Sequence, residues 1–312
     1  MRHLESSFSG KNAFWRYFLM LAAVFAVSNT LGSIPLIIAL GMKAAENPEI
    51  AAELSANPGD LSPLGLDPFI GLIIMLIPFI AGLGTFILLI KPLNNRSLMN
   101  VINGTDSFRW RKYFISAVVW IIMSAIYLLG YLKSEPSNFS LNNTSITLLF
   151  LVILSVIFIP FQAAFEEILF RGYLMQGFAI LLRNRWVPLI ITSVLFAMMH
   201  GLNPEVKEFG FWTMMPYYAL FGLIFGIMTL LGDGIEAAIG AHTANNIFLC
   251  IMVTNKYSAL QTPALYEMHE INPSVELISM LVTGVLVILI LKKVFGWTDF
   301  SCLFGKVEYR EE

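Results

Sequence analysis

Residues 145–173 read SITLLFLVILSVIFIPFQAAFEEILFRGY. The first 21 of them, 145–165, carry no charge, and about 20 apolar residues suffice to cross a bilayer as a helix. Two adjacent carboxylates, Glu166 and Glu167, follow at once, with Arg171 close behind. Charges beside a hydrocarbon-length segment are costly, so they pair with each other or carry function. As a structural reading, both glutamates are helix-end charges at the interface. Spacing adds a second reading. On a helix, residues i and i+4 share a face while neighbours diverge by about 100°. Glu167 and Arg171 are four apart and can pair. Glu166 then points toward Phe170 and is left without a local partner, which suits a group that takes up a proton and hands it on.

The whole chain repeats this character. Its 312 residues are 57% hydrophobic and 13% charged, with a mean hydropathy of +0.74. Soluble domains carry about 25% charged residues. The chain is therefore expected to be an all-α, polytopic transmembrane helical bundle. Helices satisfy their own backbone groups in lipid. The net charge of -2 excludes a nucleic-acid partner. Cys250 and Cys302 form no C-x-x-C pattern and read as inert thiols.

Eight apolar runs are expected to span: 14–41, 68–90, 113–132, 145–165, 186–200, 212–231, 235–254 and 275–291. Pro35 is expected to kink the first, since proline removes a ladder hydrogen bond. That run far exceeds a signal core and reads as a retained helix. Residues 43–67, with Pro58 and Gly59, read as a loop with a short helix near Pro48. Residues 172–182 either continue the fourth helix or lie at the interface. Three regions follow: 1–144 with the first three spans, 145–255 as the core, and 256–312 with the last span and tail.

Charge orients this layout. One side collects 15 of the 19 Lys and Arg, from Arg2 to Arg310, while the other holds Lys43, Lys133, Lys207 and Lys256. The positive-inside rule then places both termini in the cytoplasm.

Two further polar pairs stand in later runs. Phe196 and His200 lie four apart on the fifth, and His242 and Asn246 four apart on the seventh. Alone, His200 reads as a satisfied helix-end histidine. His242 and Asn246 fit an interhelical hydrogen-bond pair as well as catalysis, and the Ala and Gly around them permit close helix approach.

Taken together, E-E-x-x-x-R, F-x-x-x-H and H-x-x-x-N on successive apolar elements resemble the CPBP family of intramembrane proteases. That family includes the eukaryotic CAAX prenyl endopeptidase and many bacterial membrane proteins linked to bacteriocin immunity. The resemblance covers roughly residues 147–253. It implies a site between helices 4, 5 and 7 of a bacterial inner-membrane protein, hydrolysing a membrane protein or peptide within the lipid bilayer. Prenylated C-terminal peptides are the eukaryotic substrate class. By this resemblance Glu166 with His200 polarises a water. His242 and Asn246 hold the oxyanion, while Glu167, Arg171 and Phe196 support them. No cofactor is implied. A zinc-dependent variant would use Glu166, His200 and His242, although the H-E-x-x-H motif is absent. A transporter, or a non-catalytic scaffold or immunity protein, could use the same groups, but transporters typically show internal repeats and none is seen.

One conflict is built into this layout. At 1.5 Å per residue, His200 lies ~20 Å outward from Trp186, while Glu166 and His242 lie toward the cytoplasmic side. To meet, the fifth run must start below the surface or tilt strongly, or the fourth must bend after Pro160.

Overall fold

A computed structural model describes residues 2–56, 62–297 and 299–308. Pro58, Gly59 and Arg310, named above, lie outside the described residues. The molecule is a helical bundle, and among the described residues six helical stretches are long and apolar enough to cross a membrane. The chain is an integral membrane protein.

The first apolar run forms two helices, α1 (Phe14–Asn29) and α2 (Ile34–Glu46). The expected kink is a full break. Pro35 sits in the first turn of α2, where its missing N–H costs no ladder bond. A short helix, Glu49–Ala56, follows. Next come α3 (Pro68–Asn94) and α4 (Trp110–Ser134). Asp67 caps α3 by accepting from the backbone N–H groups of Phe69 and Ile70. Then come α5 (Thr147–Glu167), a π-helical segment (Ile168–Leu174) and α6 (Met175–Leu182), which together run as one 36-residue stretch. Helix α7 (Trp186–Met199) has 14 residues and α9 (Glu236–Met252) has 17, both shorter than a full span. Between them lies α8 (Phe211–Gly232), and α10 (Pro273–Phe295) closes the bundle.

The polar segments sort onto two faces. On one face, the N–H groups of Arg2 and His3 donate to the Asp233 carboxylate at 3.0 Å, and Lys11 N–H donates to Asn94 O at 2.7 Å. Arg109 pairs with Glu236, and Asn184 bridges to Lys306. The basic segments grouped by charge counting are thus in mutual contact. The opposite face carries a small sheet absent from the sequence reading. Strands β1 (Phe139–Leu141), β2 (Val253–Thr254) and β3 (Tyr266–Met268) are ordered β1-β3-β2. Phe139 pairs antiparallel with Met268, and Val253 pairs parallel with Tyr266.

Two glycines let the central helices approach. A Cβ on Gly172 would stand 2.7 Å from Val101 Cγ1, and one on Gly240 would strike the Tyr113 carbonyl. The small-residue stretch 237–246 is packed against α4 and α5, and Ala237, Ala238 and Ala241 are fully buried. These contacts seat α9 beside the glutamates of α5.

Candidate functional site

The glutamates do not end a helix. Backbone helix continues from Thr147 to Leu182, so Glu166 and Glu167 sit near its middle. The alternative in which residues 172–182 prolong the fourth helix is the one observed. The π turn accommodates the change of register directly after Glu167, and such segments recur at functional sites. This arrangement removes the depth conflict. Glu166 precedes Leu182 by 16 residues, or ~24 Å of helix, and His200 lies ~21 Å from Trp186. The two reach similar depth from the same turn.

Glu167 is fully buried and accepts two charge-assisted contacts at one oxygen. Arg171 Nη1 reaches Oε1 at 2.8 Å, and His242 Nδ1–H donates to the same oxygen at 2.8 Å. The i+4 pair read from sequence is present. Arg171, also fully buried, lies 4.2 Å over the Phe196 ring, a cation–π contact. Phe196 stands between the histidines, its ring centroid 4.6 Å from His200 and 6.1 Å from His242.

Glu166 is not without a local partner, contrary to the sequence reading. Gln162, one turn earlier, donates from Nε2 to Glu166 Oε1 at 2.7 Å. Among the described residues Glu166 Oε2 has no hydrogen-bond partner, and His242 Nε2 stands 3.6 Å from it. His242 therefore bridges the two glutamates with its two nitrogens. The ring is also stacked on Phe225, centroids 5.1 Å apart.

Asn246 donates to Gln162 Oε1 at 2.9 Å and accepts from Asn245 Nδ2 at 2.9 Å. Trp120 Nε1–H donates to Asn245 Oδ1 at 3.2 Å. A continuous chain runs Trp120, Asn245, Asn246, Gln162, Glu166. Sequence reasoning missed Gln162, Asn245 and Trp120. The same i+4 rule that paired Glu167 with Arg171 would have found Gln162, a lone polar residue four positions before Glu166.

His200 ends α7 and donates Nδ1–H to Phe196 O at 2.8 Å, which leaves Nε2 as its acceptor. Its ring stacks on Tyr218 with centroids 4.3 Å apart. No direct bond joins His200 to Glu166 among the described residues. Both line one cavity of about 550 Å³, with His242, Asn246 and Gln162. The cavity extends from the glutamate toward the face that carries the sheet, reaching Asn255, Tyr257 and Ile271. Its walls come from the fourth, fifth and seventh runs, and also from α1, α3, α8 and α10.

Among the described residues no three His, Cys, Asp or Glu side chains converge to hold a metal ion. Glu166, His200 and His242 share the cavity without forming a ligand set. His200 and His242 each engage Nδ1, with Phe196 O and Glu167 Oε1, and keep Nε2 for other contacts.

The fold and site define a class: a helical integral membrane protein with a buried Glu–His–Arg core beneath an apolar cavity. Residues 143–248, about a third of the chain, match the family described as Rce1-like, type II CAAX prenyl endopeptidase. That family is, by its description, one of endopeptidases. Over 267 residues the chain is 28% identical to "Uncharacterized protein YyaK" of Bacillus subtilis (strain 168), covering 85% of this chain and 86% of that protein. No solved structure gives a significant match.

Proposed function

We propose that the protein is an intramembrane endopeptidase that uses a glutamate-activated water. The observation that carries this reading is Glu166 Oε2. It is a buried carboxylate oxygen without a hydrogen-bond partner among the described residues, 3.6 Å from His242 Nε2, and its residue lines the cavity shared with His200 and Asn246.

In this mechanism a water enters beside Glu166 Oε2. Glu166 takes its proton, and His200 Nε2 accepts a hydrogen bond from the water and orients it. The water oxygen attacks the peptide carbonyl carbon. Negative charge gathers on the carbonyl oxygen, where preorganised donors contribute most. Asn246 offers its second Nδ2 hydrogen. His242 offers Nε2–H in its protonated form, with Glu167 balancing the charge through Nδ1. The C–N bond then breaks and Glu166 returns its proton to the leaving amine. The remaining water proton passes from the new carboxyl group to the amine, carboxylate and ammonium products result, and no cofactor is needed. Glu167, Arg171 and Phe196 hold the histidines. Residues 145–255 make up the catalytic core, and the flanking helices of 1–144 and 256–312 wall the cavity.

The basic segments gathered on one face support a plasma-membrane protein with both termini cytoplasmic. The similarity to a Bacillus protein supports a bacterial plasma membrane as its setting. The substrate is a membrane protein or peptide.

Glu166→Ala and His200→Ala should each abolish cleavage of a native substrate, found by comparing membrane proteomes of wild type and Glu166→Ala. Both variants should still insert and fold. Full activity in both would overturn the mechanism. A lasting loss after chelation that zinc restores would favour a metal route instead.

A further inference from the structure

The cavity is closed on one side of the site and lined on the other. Among the described residues, none of segments 2–13, 91–112, 171–186, 229–236 and 292–308 contributes to its wall. These are the segments gathered on the face of the termini. Between that face and Glu166 the packing is continuous. Glu167, Arg171, Tyr173, Gln176 and Glu236 are fully buried. His3 Nε2–H donates to Arg171 O at 3.1 Å, and Arg109 pairs with Glu236. Toward the sheet the opposite holds. Asn203 and Phe209 from one connecting segment, and Tyr257 and Ser258 from another, line the cavity and are only half-buried. They form a rim on the face opposite the termini.

Distances along α9 make this closure informative. His242 follows Glu236 by ~9 Å of helix and precedes Val253, at the sheet, by ~16 Å. The shorter path to the site is therefore the packed one, and the longer path is the lined one. Peptide hydrolysis consumes a water at every turnover, and ionisable groups at membrane depth face a water-filled cavity or the bundle interior. Water and substrate must then share the route from the sheet-bearing face. Phe25 and Phe79 stand on its wall, so the route admits an apolar chain. An extended chain covers ~16 Å in about five residues.

We infer that the substrate is a polypeptide whose scissile segment is apolar and is presented from the extracytoplasmic face, cut about five residues below the point where it enters the cavity. This rests on the protease reading for turnover and on the orientation given by the basic segments. The one-sided access itself needs no turnover.

The test places single cysteines in the full chain, in a Cys250→Ala, Cys302→Ala background. Asn246→Cys reports the depth of the site, Ser258→Cys the rim, and Lys11→Cys the face of the termini. The probe is a charged, membrane-impermeant methanethiosulfonate, applied to protoplasts and to inverted membrane vesicles. Asn246→Cys and Ser258→Cys should be modified in protoplasts and stay unmodified in inverted vesicles, and Lys11→Cys should do the opposite. If Asn246→Cys fails to fold, Leu249→Cys, nearer the rim on the same helix, takes its place. A site cysteine that reacts from the inverted side, from both sides or from neither overturns the inference. The membrane proteomes of wild type and Glu166→Ala then locate the cuts. Cuts confined to cytoplasm-exposed segments sink this inference and keep the protease reading. Access from outside with no fragment that depends on Glu166 keeps the one-sided access and sinks the protease reading.

Discussion

Gln162 donates to Glu166 at 2.7 Å while its carbonyl oxygen receives Asn246 at 2.9 Å. One amide thus orients two of the groups assigned to catalysis, Glu166 on its own helix and Asn246 from 84 residues further along the chain. Gln162→Ala removes a hydrogen bond to a charged group, worth about 1.5–3 kcal/mol. Activity should fall about 10- to 100-fold with the fold retained. Single-turnover rates in proteoliposomes measure this. Unchanged rates would show that Glu166 needs no such positioning.

The Glu167–Arg171 pair is fully buried, and breaking such a pair leaves an uncompensated charge. Arg171→Ala should destabilise the protein by about 3–5 kcal/mol. Arg171→Lys keeps the charge but loses the planar contact over Phe196, and should lie between the two. Thermal unfolding in detergent ranks the three proteins.

Gly240 faces the Tyr113 backbone so closely that any side chain must push α9 from α4. Gly240→Ala should cost about 1–3 kcal/mol, as overpacking does. It should also lower activity, because His242 lies on the same helix. A fully active, equally stable Gly240→Ala protein would mean that α9 can shift without moving the site.

His3 tests the coupling of the N-terminal turn to the π segment. Its Nε2–H donates to Arg171 O at 3.1 Å, and Nδ1 accepts from Gln176 Nε2 at 3.3 Å. Burial lowers its pKa to about 4 from 6.5, against the raising influence of Asp233. The docked turn therefore holds neutral His3. Docking stability is fully present above pH 6.5 and is lost as pH falls toward 4, because the undocked histidine takes the proton first. Hydrogen-exchange protection of residues 2–9, relative to intrinsic rates at each pH, should fall over that window, and His3→Gln should remove that loss.

What the sequence settled by itself was local. Runs of apolar residues marked the helices because hydrocarbon length is a one-dimensional property. The Glu167–Arg171 pair followed from i+4 geometry, and the motif pointed to the family that residues 143–248 match. The rest depended on tertiary contacts. That α5 continues through the π segment to Leu182 was hidden, because two glutamates and an arginine look like a helix end until His242 and Phe196 are seen to cover them. The break before Pro35 and the three-stranded sheet were unread, since short strands are stabilised only by partners far along the chain. The two glutamates that opened the reading are distinguished by position in space. Glu167 is enclosed by Arg171 and His242, whereas Glu166 lines the cavity, and only packing of distant helices can create that difference between neighbours.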